Sequence, residues 1–174
     1  MSFTPGHWHD FFVMVGGSAA ALTGLVFVAM TLNLAAITRD ATHHYRAVGT
    51  ISGFVAIFMV CALALVGDQT NTAIGIEWLV VMVAATAVYV YGYVRAVRSG
   101  GSTTGLAPPR LVVGIGLWVA GVVGAGILAL GQGVGALVAA VTMVALVAFL
   151  ISGAWLLIVG VRRDTTGGQG GNGG

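Results

Sequence analysis

The sequence predicts an all-α protein, an integral membrane bundle of five transmembrane helices with the N-terminus outside and the C-terminus inside. Three observations carry this prediction. Hydrophobic residues make up 58% of the chain and charged residues only 7%, against about 25% charged in a typical soluble domain. The apolar residues collect into five runs, each near or above the roughly 20 residues a helix needs to cross a hydrocarbon core. Every Arg then falls in a break, or at a run's edge, on one side of a five-helix path.

The runs lie at about 10–37, 47–67, 76–97, 110–130 and 134–161, forming one transmembrane domain over 1–163. The first, third and fifth are long enough to tilt or to project beyond the hydrocarbon. No positively charged stretch precedes the first run, since the first Arg is Arg39; it is therefore expected to stay as a helix rather than be removed as a secretory signal. Arg39 and Arg46 follow run one, Arg95, Arg98 and Arg110 bracket the break after run three, and Arg162 and Arg163 follow run five. The breaks after runs two and four carry no Arg, and Asp68 and Glu77 sit at the first of these. Basic residues mark the cytoplasmic side, so the Arg side is inner and Asp10, Asp68 and Glu77 are outer.

Aromatic residues are placed to match. Trp8 and Trp78 lie at outer helix ends, Trp155 toward an inner end, and Tyr89, Tyr91 and Tyr93 approach the inner interface, the depth that such rings favour. Trp118 lies deeper and is expected to pack. Pro108 and Pro109 suit a helix start, where the missing N–H is no loss. The tail 164–174, rich in Gly, is expected to be disordered.

Within the first run, Gly16, Ala20 and Gly24 repeat every fourth residue, with Gly17 and Ala21 beside them. Gly116, Ala120 and Gly124 repeat the pattern in run four, and Gly131, Gly135 and Ala139 across the next turn. Small residues at this spacing let helix backbones approach closely in lipid. They serve either packing inside the bundle or a seam to another chain, and run one is the expected central helix.

No Asp, Glu, Lys, Arg or His lies in the middle of any run, whereas ion-coupled transport and proton relays usually need such groups. The polar residues there are hydroxyls, Ser18, Thr23, Thr86 and Thr142, which form no continuous stripe. Thr86, Tyr89 and Tyr93 do share one face of run three, as hydrogen-bonding and anchoring residues or as a ligand-contacting ridge. The single cysteine, Cys61, reads as a small buried or lipid-facing residue.

The four histidines form two pairs. His7 and His9 stand with Asp10 at the outer end of run one, and with Asp68 and Glu77 are candidates for an outer mouth. His7, His9 and Asp10 are also the weak candidates for a metal, which wants three or four converging ligands. With a helix starting near Thr4 and Pro5, His7 and Asp10 share a face and His9 points elsewhere. His43 and His44 are expected in a solvated inner loop with Tyr45 and Arg46, facing anionic headgroups. No nucleophile–base set, phosphate loop or zinc-protease motif is present, so no catalytic residue and no cofactor is expected. Nor does a basic run point to nucleic acid.

The run WHDFFVMVGGSAAALTGLVFVAMTLNL, residues 8–34, resembles the opening of small multi-spanning membrane proteins of actinobacteria. The resemblance implies a plasma-membrane protein of several helices. Through relatives labelled modulators of the FtsH protease it implies a regulatory role, and it brings no catalytic or binding residues.

The expectation is therefore a non-enzymatic inner-membrane protein acting through helix–helix packing, as a self-assembling or accessory subunit whose partners are the lipid bilayer and itself or another membrane protein. The alternatives are a channel or transporter on an oligomer axis lined by the first helix, and a modulator of a membrane protease or respiratory complex.

Overall fold

A computed structural model describes residues 5–39, 41–67, 69–98 and 108–167, with the side chains of 5–7, 36, 39, 41, 42, 108, 109 and 157–167 outside that description. Among these described residues six helices follow in order: α1 (Pro5–Leu32), α2 (Leu34–Arg39), α3 (Ala41–Ala64), α4 (Asn71–Arg98), α5 (Pro108–Ala129) and α6 (Val134–Gly167). All but the short α2 are long and apolar enough to cross a membrane, and no strand occurs among the described residues.

The helix ends follow local chemistry. Thr70 caps α4, its Oγ1 accepting the Ala73 N–H at 3.2 Å, which satisfies one of the unpaired donors of a helix start. The α5–α6 turn is closed by Gly131 at φ +80°. Gly131 N donates to Leu128 O at 2.8 Å and Gln132 N to Ile127 O at 3.2 Å. That pair of bonds is a Schellman cap, which needs a left-handed residue where Gly costs least. Proline opens α5, as its position in the sequence predicts.

The first run is not one helix to residue 37. The Asn33 side chain donates from Nδ2 to Ala29 O at 2.8 Å, a carbonyl that the backbone of an unbroken helix would bond, while Asn33 N turns to Met30 O at 3.1 Å. This competition between amide side chain and backbone ends α1 and starts α2. The second helix also begins earlier than expected, at Ala41. His43 therefore lies in α3 and is buried at 2% exposure, not in a solvated loop. α6 runs on through Gly167, past the expected start of the tail at 164; residues 168–174 lie outside the described residues.

Helices α3, α4, α5 and α6 pack as a square, each touching its two neighbours, and α1 lies outside it along α3 with a lighter touch on α6. The centre of the molecule is thus α3, not the first helix: 56% of its membrane-length window is buried, against 28% for α1. Phe12, Phe54, Ile57, Trp78, Trp118, Met143 and Leu146 are all 1% exposed or less. Trp78, near the start of α4, is turned into the core, and its ring meets Phe12 edge-on at 5.6 Å. Trp118 packs as expected, and Trp155 is 67% exposed.

Glycines set the closest approaches. A methyl on Gly16 would stand 2.9 Å from Cys61 Cβ, joining α1 to α3, and one on Gly124 would stand 2.9 Å from Ala139 N, joining α5 to α6. On Gly75 it would meet the backbone of Leu128 and Ala129, so α4 and α5 are in backbone contact there. The hydroxyls take no part in this. Ser18, Thr23, Thr86 and Thr142 each donate to the carbonyl four residues back in their own helix, at 2.7 Å in every case. That satisfies them where no water is at hand.

Candidate functional site

One end of the square gathers the start of α3, the end of α4, the start of α5 and the later part of α6 around a cleft. Arg46, Thr50, Tyr89, Tyr93, Arg110 and Phe149 bring the chemistry to its wall. Arg110, in the first turn of α5, reaches across to α6. Its Nη2 donates to Phe149 O and to Ser152 Oγ, both at 3.2 Å, and its guanidinium lies 4.8 Å from the centre of the Phe149 ring, within cation–π range. Arg46 feels the Arg110 charge directly, and the Tyr89 phenol is within electrostatic reach of both. The described lining contains no Asp or Glu.

Small residues make the space. Gly49, Gly92, Ala96 and Gly153 line the cleft, and Gly114 leaves room for the Tyr89 hydroxyl and the Phe149 ring, which a methyl there would strike. The resulting volume is about 70 Å³, several times the roughly 10–15 Å³ that one water needs. Tyr45, also in the lining, meets Tyr91 edge-on at 6.4 Å, and Arg95 Nε donates to Tyr91 Oη at 3.1 Å.

The structure therefore divides the expected inner-face Arg set. Arg46 and Arg110 converge on the cleft, while Arg95 and Arg98 stay exposed in the last turn of α4. The side chains of Arg39, Arg162 and Arg163 lie outside the described residues. Of the Thr86–Tyr89–Tyr93 ridge, the two tyrosines reach the cleft, and Thr86 bonds to its own helix. Sequence reasoning did not find Thr50, Phe149 or the pairing of Arg46 with Arg110. The signals were the two tyrosines on one face and an Arg near the start of each of two alternate helices, α3 and α5.

The α1 face divides too. Gly16 and Ala19 turn inward against α3, but Gly17, Ala20, Ala21 and Gly24 are exposed, and a methyl on Gly17 or Gly24 would find nothing within 4 Å. In α5, Gly124 packs against α6 while Gly116 is exposed with nothing near it; Ala120 is partly covered.

At the opposite end of the bundle, His9 Nδ1 stands 3.2 Å from Asp10 Oδ1, with both side chains exposed. Asp10 thus meets His9; the side chain of His7, which shares its helix face in the sequence, lies outside the described residues, as does Asp68. Glu77 is engaged elsewhere, accepting from Gln69 Nε2 at 3.1 and 3.2 Å. Among the described residues no three His, Cys, Asp or Glu side chains gather to hold a metal ion.

The architecture defines the class: an all-helical, multi-pass protein whose five long helices fit a membrane. The chain matches no protein-family model, no curated protein and no solved structure.

Proposed function

We propose that the protein is a non-enzymatic, multi-pass protein of a bacterial plasma membrane that acts by self-association, α1 of one copy docking on α1 of a second. The observation that carries this reading is the outward face of α1, where Gly17, Ala20, Ala21 and Gly24 stand clear of the bundle. In lipid, helices associate through close backbone packing rather than hydrophobic burial. A strip without side-chain bulk, flanked by the exposed Met14, Leu25 and Val28, offers a groove and ridges to an identical helix. The same strip argues against a polar pore on the oligomer axis, since its one hydroxyl, Ser18, is bonded to Met14 O. The N-terminus is outside and the C-terminus inside, a reading supported by the position of all seven Arg and the positive-inside rule.

The test is Gly24→Ile, with Gly116→Ile as a control of equal bulk on another exposed face. Oligomeric state is read by single-molecule photobleaching in native-membrane nanodiscs. Overpacking the seam costs about 1–3 kcal/mol, which weakens association by roughly 5- to 150-fold. Gly116→Ile leaves it unchanged. A monomeric wild type, or a Gly24→Ile variant that assembles like wild type, removes α1 self-docking.

A further inference from the structure

Independently of self-association, we propose that the cleft between α3, α4, α5 and α6 is a binding site for a phosphate-bearing anion. Two cations from separate helices share its wall and repel one another. Arg110 belongs to the first turn of α5, where the helix dipole is positive and gives a cation no relief. An anion seated between the two guanidiniums offsets their repulsion.

The donors suit phosphate in particular. Arg110 commits only Nη2 to the protein; its Nε and Nη1 hydrogens find no protein acceptor among the described residues. Each of these nitrogens can donate a separate charge-assisted hydrogen bond to an oxygen of an anion. The phenol of Tyr89 lies within electrostatic reach of both guanidiniums, and Tyr93 adds a second hydroxyl to the wall. Gly49, Gly92 and Gly153 leave a volume of about 70 Å³, enough for an anion larger than one water. Leu111, Leu150 and the Phe149 ring give the cleft an apolar flank. Its depth, at the level of the last turns of α4 and the first turn of α5, is where the phosphates of anionic lipids lie in a membrane that these helices span.

The phosphate can therefore come from a lipid headgroup or from solution, and one experiment separates them. The full-length protein in a nonionic detergent is titrated with dioctanoyl phosphatidylglycerol, dioctanoyl phosphatidylcholine and inorganic phosphate. Binding is read by native mass spectrometry and by thermal shift. The anionic lipid should saturate one site and bind at least about tenfold tighter than the zwitterionic one. Arg110→Gln and Arg46→Gln should each weaken it by about tenfold or more, the size expected for losing a hydrogen bond to a charged group. Arg98→Gln, on an exposed helix end, should not. Inorganic phosphate that competes for the site at similar concentration assigns the anion to solution, and failure to compete assigns it to lipid. Equal binding of the two lipids with no saturable phosphate binding overturns the proposal, as does binding indifferent to both cleft substitutions. If either variant fails to fold, the selectivity of the wild-type protein among the three probes still decides.

Discussion

Adding one methyl group at Gly75 should weaken the bundle more than the same change at any open glycine. An alanine Cβ there would stand 2.5 Å from Ala129 Cα and 2.6 Å from the Leu128 carbonyl carbon, where ordinary contact begins at 3.4 Å. The obstacle is backbone on the neighbouring helix, so no rotamer change relieves it. α4 and α5 must part locally by about 1 Å, and overpacking of this kind costs about 1–3 kcal/mol. Gly→Ala also gains about 1 kcal/mol of helix propensity, which would mask part of the loss. Gly126→Ala removes that ambiguity, since its methyl meets nothing within 4 Å and it lies inside α5. The prediction is therefore a difference: Gly75→Ala less stable than Gly126→Ala by about 1–3 kcal/mol. Unfolding by sodium dodecyl sulfate in mixed micelles measures it, followed by tryptophan fluorescence from the buried Trp78 and Trp118. Coincident midpoints for the two variants would refute the close α4–α5 contact.

Gly16→Ala should destabilise through the 2.9 Å approach to Cys61 Cβ. Cys61→Gly in the same chain should return part of the loss, with a coupling of about 0.5–3 kcal/mol in a double-mutant cycle; strict additivity would mean that the two positions do not touch. Orientation is checked in a Cys61→Ala background. Phe3→Cys should react with an impermeant maleimide in intact cells and Thr166→Cys only after permeabilisation, and the reverse pattern would invert the topology.

The number of membrane-length helices was legible because it depends on the lengths of apolar runs and on where seven Arg fall, both of which are local. Which face of each helix points inward was not. A helix that is apolar all round carries no amphipathic stripe, so nothing in the sequence distinguished Gly16, against Cys61, from Gly17, facing out. For the same reason the small-residue pattern points to α1 as the central helix, whereas burial makes α3 the centre. The break at Asn33 depends on one amide side chain taking the carbonyl of Ala29, a competition that the apolar run conceals. The cleft needs Arg46, Tyr89, Arg110 and Phe149 from four different helices, and only the tyrosine spacing on α4 was visible in one stretch of sequence.

The hydroxyls have a consequence for how the chain is made. Since Ser18, Thr23, Thr86 and Thr142 each bond within their own helix, no transmembrane segment needs a neighbour to satisfy those groups. In lipid those hydroxyls would be satisfied before the helices meet. Assembly then becomes a matter of fit between notches and rods, and α5 with α6 is the pair best prepared to assemble early, joined by a short capped turn and seated Gly124 on Ala139.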